Sequence, residues 1–444
     1  MNDNLKVPKR ISTAILNSMT AGVVPRVGLE YVTVGRKNEI QSILSDLANI
    51  EEGASVFRFI VGRYGSGKSF LLQVIRNYAM DRNFIVTDVD LSPEKRLAGT
   101  AKQGLATYRE LMQRLSSKAR PDGGALEAIL QKWINGIKTD IITEGVSPID
   151  SKLDGMVEAK IYESISKLEN YAHGFDIAAV LAEYYKAYTS GNNEIKQAAI
   201  RWLRGEFATK TEAKALLPVS EIISDDNWYE YIKLLASFSV QVGYKGFVIF
   251  LDEGINLYKI QNKQSRENNY EKLLYMFNDA MQGKAENLAI YMGGTPEFIE
   301  DKRRGLFSYE ALRSRLVENR FTKDGYTDFN GPILRLKQLA PEEVFVLLEK
   351  LTQIHELHYR YTSSITEQQI LSFLQIANNK LGADELLTPR EVTRDYLGLL
   401  NILLQDNTTT FDAIVGNESF HVKGALEQDN EDQGVEDEYK EFTL

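Results

Sequence analysis

A chain of 444 residues, 43% hydrophobic and 26% charged, can bury a sizeable core and is expected to fold as two or three soluble domains. It holds no cysteine, which rules out disulfides, cysteine-zinc sites and thiol nucleophiles, and its 4 histidines show no metal-ligand spacing. Its net charge of -10 gathers near the end, where Glu427, Asp429, Glu431, Asp432, Glu436, Asp437, Glu438 and Glu441 face only Lys440, so it neither implies nor excludes a nucleic-acid partner.

The opening MNDNLKVPKRISTAIL has no long apolar core, and no apolar run approaches membrane-spanning length; a cytoplasmic chain without membrane contact is expected. In VGRKNEIQSILSDLANI, Gly35-Arg36 precedes a predicted helix with Ile40, Ile43, Leu44, Leu47 and Ile50 at core spacing. Phe57 to Val61 then reads as a buried strand and Phe70 to Tyr78 as a helix. Between them, Gly62-Arg63-Tyr64-Gly65-Ser66-Gly67-Lys68-Ser69 fits G-x-x-x-x-G-K-[ST], the loop that holds nucleotide phosphates. Gly62, Gly65 and Gly67 let the backbone curl, so that N–H groups through Ser66 and Phe70 converge on phosphate oxygens at a helix N-terminus. Lys68 is expected to reach the β- and γ-phosphates of ATP, and the Ser69 hydroxyl to ligate Mg²⁺.

A second strand is predicted over Phe84 to Leu91, followed by far more chain than the next strand requires. About residues 100 to 240 read as helices, with breaks at Arg120 to Gly124, Glu144 to Ser151, His173-Gly174 and Ser190 to Asn193. Their aromatic residues, including Trp133, Tyr184, Tyr185 and Trp202, are expected to be core rather than base-stacking platforms. Residues 247 to 253, FVIFLDE, form an apolar run ending in two acids, as a central parallel strand should. At such a strand end Asp252 can enter the Mg²⁺ shell and Glu253 can polarise an attacking water.

A further strand, Leu288 to Met292, leads to Thr295, the candidate sensor of the γ-phosphate, with a local helix cap as the alternative. GLFSYEALRSRLVENRF, from Gly305 to Phe321, reads as a helix presenting Arg313 and Arg315, either of which can stabilise phosphoryl charge in a neighbouring subunit or serve a surface ion pair. In LTPREVTRDYLGLLNIL, Thr388 caps a helix, Pro389 opens it, and Arg390 or Arg394 can reach nucleotide from a helical lid, Arg390 being preferred. His355-Glu-Leu-His358 reads as part of an amphipathic lid helix. Lys302-Arg303-Arg304, Arg201 and Arg204 offer a weak DNA-contacting surface that only clustering in space would make real.

The order of loop strand, acidic strand, sensor strand, arginine helix and helical lid defines an α/β fold of the AAA+ type: a P-loop parallel-sheet core with a large helical insertion and a C-terminal lid. The expected divisions are 1–99 and 241–330 for the core, 100–240 for the insertion, 331–405 for the lid and 406–444 for an acidic C-terminal segment. The Gly35-Arg36 segment resembles that of the origin-recognition and archaeal-initiator branch, which implies that Arg36 lies beside adenine. A closer resemblance spans nearly the whole chain. GVVPRVGLEYVTVGRKNEI, VGRYGSGKSFLLQ, DVDLSPEKRL, QGLATYRELM, RPDGGAL, FLDEG, GGTPEF and LTPREVTRDYL, in this order, resemble the ATP-binding BrxD family of bacterial BREX (bacteriophage exclusion) systems. That resemblance implies a cytoplasmic ATPase in an anti-phage cassette with methyltransferase, phosphatase-like and helicase partners. Two functions follow from these features: an ATP-hydrolysing, homo-oligomeric switch or remodelling factor on or near DNA, or a nucleotide-gated scaffold with negligible turnover.

Overall fold

The computed structural model describes residues 6–170, 172–317, 327–380, 388–406 and 408–415. The acidic run from Glu427 to Glu441 and the end of the Gly305–Phe321 segment lie outside them. The chain forms two compact units, one from residues 39–61 and 75–335, the other from 1–38, 62–74 and 336–444.

The first unit is built on a five-stranded, all-parallel sheet: β1 (Ser55–Val61), β2 (Ile85–Asp90), β3 (Phe247–Asp252), β4 (Leu288–Gly294) and β5 (Ile333–Arg335). The order across the sheet is β2-β3-β4-β1-β5, so the sensor strand lies between the loop strand and the acidic strand. Registers of Val61 with Gly294 and Leu251 with Met292 bring the C-terminal ends of β1, β4 and β3 to one edge. Such ends face ligands in open α/β sheets. The first four strands match the sequence expectation; β5, only 3 residues long, was not expected and pairs with β1 through Phe59 and Ile333.

Side-chain alternation explains how β1 is held. Phe57 and Phe59 face one way and meet Phe277 of the helix Lys263–Met281, with Phe57 and Phe277 ring centroids 5.8 Å apart in an edge-on contact. Arg58 faces the other way, where its guanidinium meets the Asp46 carboxylate at 2.5 Å and donates to Ser42 Oγ at 3.0 Å and to the Phe329 carbonyl. Both charged side chains are buried.

Residues 103–241 are mainly helical, as expected, and share one apolar core with the sheet. Trp133 meets Phe238 edge-on at 5.2 Å, and Trp202 meets Tyr231 at 5.3 Å. Both indoles are buried; Trp202 Nε1 donates to the Glu221 carbonyl at 3.0 Å. These aromatic residues are core. Asp225 ties the start of the insertion down by accepting from the N–H groups of Gly99 and Leu105, each at 2.9 Å.

The second unit has its own core, formed by the N-terminal helix Lys9–Thr20 with helices Pro341–Tyr359, Glu367–Lys380 and Pro389–Gln405. The N-terminal helix therefore packs with the lid helices. Ser12 Oγ and His358 Nδ1, 2.9 Å apart, join it to the first of them. On that helix His355 is buried between Tyr361 Oη at 2.8 Å and Asn401 Oδ1 at 3.1 Å. One neutral tautomer satisfies both, accepting at Nδ1 and donating from Nε2. Burial holds the His355 pKa below the usual 6.5, outweighing the opposing effects of Asn401 and Glu356. Below about pH 6.5 the unfolded chain therefore takes up a proton that the folded chain refuses, so stability falls as the pH falls. His358, also lowered by burial, adds to the same slope. Thermal melts between pH 7.5 and 5.5 should show this loss, and His355→Gln should flatten it.

Candidate nucleotide site

The loop expected to hold phosphate leaves β1 at Gly62 and enters the helix Lys68–Asp81. Gly65 and Gly67 have φ of +76° and +85°, a region in which L side chains are strained. Gly65 is required twice over, because an added Cβ would come within 2.3 Å of Thr388 Cγ2. At Gly62 an added Cβ would meet Ser66 Oγ at 2.2 Å. Lys68 Nζ donates to the carbonyls of Gly62 at 2.9 Å and Arg63 at 3.0 Å, so the ammonium is folded back over its own loop.

These residues fit a bound triphosphate on physical grounds. The helix begins at the lysine, so its first N–H groups lack helical acceptors. Ser66 Oγ is buried without a hydrogen-bond partner, an orphaned polar atom inside the loop. Among the described residues no group of three or more His, Cys, Asp or Glu gathers around a metal position. Mg²⁺ at a nucleotide does not require one, since phosphate and water fill most of its shell.

Arg36 is buried, and its guanidinium donates to the carbonyls of Ser66 at 2.8 Å and Lys337 at 2.6 Å. The side chain thus grips the backbone of the phosphate loop. These bonds fix where the guanidinium, which the resemblance expects beside adenine, stands against the loop.

Asp252 and Glu253 stand at the C-terminal end of β3. Asp252 Oδ1 accepts from the Glu253 N–H at 2.8 Å, fixing one carboxylate against the next peptide. Glu253 has a φ of +56°, unusual for a non-glycine residue, and its side chain is exposed. Gly254 locks this bend to β4: its N–H donates to the Gly293 carbonyl at 2.9 Å, and a Cβ would lie 2.7 Å from the same oxygen. Asp90, opposite Asp252 in the β2–β3 ladder, escaped the sequence reading. Burial and the Asp252 charge raise its pKa, against the pull of Arg114. An acid closing the DVD strand, as Asp252 closes FLD, was the available signal.

Thr295 caps the helix Pro296–Glu300, its Oγ1 accepting from the Phe298 N–H at 3.3 Å. A hydroxyl that accepts still has a proton to donate, so capping and sensing are compatible. The two arginines of helix Glu310–Leu316 differ. Arg315, though exposed, is held by two neutral acceptors, donating to Asn278 Oδ1 at 2.8 Å and the Ala311 carbonyl at 2.7 Å. Arg313 pairs only with exposed Glu310 at 3.2 Å among the described residues, a weak surface pair. In the second unit, Arg390 near the start of Pro389–Gln405 donates to Tyr64 Oη of the phosphate loop at 3.0 Å. The arginines considered for DNA are partly used elsewhere: Arg201 pairs with Glu212 at 2.8 Å, and Arg304 donates to the Tyr258 carbonyl at 3.2 Å.

A parallel sheet in this order, with a phosphate loop after β1, paired acids after β3 and a helical lid, defines a P-loop ATP-binding protein of the AAA+ type. Residues 7–419 match the family model described as BREX system ATP-binding protein BrxC/D, and the chain belongs to that family. Its role is therefore ATP binding in bacteriophage exclusion, with other BREX components as partners. No curated protein matches the chain. Among the described residues no helix is long and apolar enough to cross a membrane.

Proposed function

We propose that the protein is a cytoplasmic AAA+ ATPase that assembles as a homo-oligomer and uses ATP hydrolysis to switch or remodel a BREX complex. The observation that carries this reading is the acid pair at the end of β3: a chain that only bound nucleotide would need no exposed carboxylate beside Asp252, held in a strained backbone. Ser69 and Asp252 would hold Mg²⁺, which supplies positive charge to the phosphates. Lys68 binds the β- and γ-phosphates. Glu253 orients a water for in-line attack and accepts its proton, while Thr295 donates its hydroxyl proton to the γ-phosphate or that water. Arg313, the less constrained of its pair, stabilises transferring charge in the next subunit, and Arg390 does so from the lid. With Arg201 held in a surface ion pair and Arg304 donating to the Tyr258 carbonyl, action on or near DNA passes chiefly through the BREX partners, among them methyltransferase, phosphatase-like and helicase components.

ATP turnover measured across protein concentration, with mass from light scattering and with or without duplex DNA, tests this. Turnover that rises with assembly and is lost in both Lys68→Ala and Arg313→Ala is the expected result. Lys68→Ala should also lose the thermal stabilisation by ATP, about 2.7 kcal/mol at a hundredfold excess over Kd in the parent chain. Binding without turnover at any concentration would favour the nucleotide-gated scaffold.

A further inference from the structure

We propose that Tyr64 is a positioning residue for Arg390: a phenol carried by the phosphate loop that holds the lid arginine in place without neutralising it. The inference rests on the reading that Arg390 acts on ATP. Tyr64 occupies a variable position of the loop motif and is 62% exposed, so core packing does not account for it. Its hydroxyl accepts from an Arg390 N–H at 3.0 Å, and its ring centroid lies 5.7 Å from the guanidinium carbon, within cation–π range.

The rest of the arginine is equally constrained. Thr388 and Glu391 form a reciprocal capping box, with Thr388 N–H to Glu391 Oε2 at 2.9 Å and Glu391 N–H to Thr388 Oγ1 at 3.3 Å. Pro389 opens the helix, so the backbone of Arg390 is fixed just inside a well-formed N-terminus. Gly22 borders the side-chain stem: a Cβ added there would lie 3.5 Å from Arg390 Cγ and 3.6 Å from Cδ. Gly65, next to Tyr64, abuts Thr388.

The chemistry of the contact distinguishes Arg390 from three other arginines of the chain. Arg313, Arg201 and the neighbouring Arg394 each pair with a carboxylate, at 3.2, 2.8 and 3.2 Å. Among the described residues no carboxylate pairs with Arg390; its partner is a neutral phenol. A carboxylate would compete with phosphate for the guanidinium. A phenol and its ring restrict the side chain and leave its charge for an anion, which is preorganisation for a terminal phosphate.

The test compares fluorescent ATP and ADP analogues binding to the full chain and to Arg390→Ala, Tyr64→Ala, Tyr64→Phe and the double variant Tyr64→Ala/Arg390→Ala, with Lys68→Ala as the control for lost binding. Arg390→Ala should lose the preference for ATP over ADP. Tyr64→Ala should lose most of it, on the order of tenfold, and Tyr64→Phe, which keeps the ring, about threefold. The double variant should match Arg390→Ala, because a positioning residue has no effect once its target is gone. Loss in Arg390→Ala with none in Tyr64→Ala overturns the role of Tyr64 and leaves that of Arg390. A further drop in the double variant overturns it as well, since Tyr64 would then act on nucleotide directly. An unchanged ratio in Arg390→Ala overturns the underlying reading and the proposal with it.

Discussion

Glu253→Gln should bind ATP about as tightly as the parent chain while its turnover falls by about two to four orders of magnitude. The substitution keeps size, hydrogen-bonding capacity and the tight bend at φ +56°, and removes only the ability to take a proton from water. The bend itself is fixed without the Glu253 side chain, by the Glu253 N–H donating to Asp252 Oδ1 on one side and the Gly254 N–H donating to the Gly293 carbonyl on the other, so a neutral amide should sit where the carboxylate does. Single-turnover hydrolysis beside equilibrium binding separates the two effects. Asp252→Asn should behave differently, weakening Mg²⁺-dependent binding, because its proposed role is ligation. Normal turnover in Glu253→Gln would remove the carboxylate from the mechanism and turn attention to Asp90, the acid opposite Asp252 in the β2–β3 ladder.

The second large effect is on stability. Replacing Arg58 by Met should cost about 3–5 kcal/mol, because it leaves the buried Asp46 carboxylate without its counter-charge and Ser42 Oγ without a donor, while the Phe329 carbonyl keeps only the Ser42 hydroxyl. Burial already raises the Asp46 pKa to about 6 despite the opposing pull of Arg58. The sign follows: between about pH 4 and pH 6 the folded chain holds a proton that the unfolded chain has released, so this group's contribution falls as pH rises through that window. Removing Arg58 extends the window upward. Chemical denaturation at pH 5 and pH 8 should find the variant closer to the parent chain at the lower pH. The double variant Asp46→Leu/Arg58→Met should recover much of the loss, because no buried charge then remains. A loss equal at both pH values would mean that packing, and not the unpaired buried charge of Asp46, sets the cost.

What could be read from the sequence followed its local patterns. β1, β3 and β4 are apolar runs ending in glycine or acid, and the loop motif lies in eight consecutive residues, Gly62 to Ser69, whose spacing the chemistry dictates. The features that escaped are long-range. β5 is too short to carry a period. Residues 9–20 have an amphipathic pattern that cannot say which unit receives them, and they pack with helices more than 300 positions later, as the contact between Ser12 and His358 records. Arg36 and Tyr64 were visible as residues; their roles depend on Ser66, Lys337 and Arg390 arriving beside them. Asp90 needed the β2–β3 register to bring it opposite Asp252.

The strand order has a consequence for biosynthesis. β1 pairs with β4 and β5, and β2 pairs with β3, so the first two strands made are not neighbours. Ile85 waits for Phe247, and Ser55 waits for Leu288, before either finds its ladder partner. At about 5–20 residues per second on the ribosome, the nascent chain carries two unpaired, apolar strands for roughly ten seconds or longer. Unpaired strand edges are templates for intermolecular pairing. Full-length chains should therefore be far more soluble than fragments ending within the helical insertion, and yield in the cell should respond to chaperone supply more steeply than the stability of the finished protein would suggest.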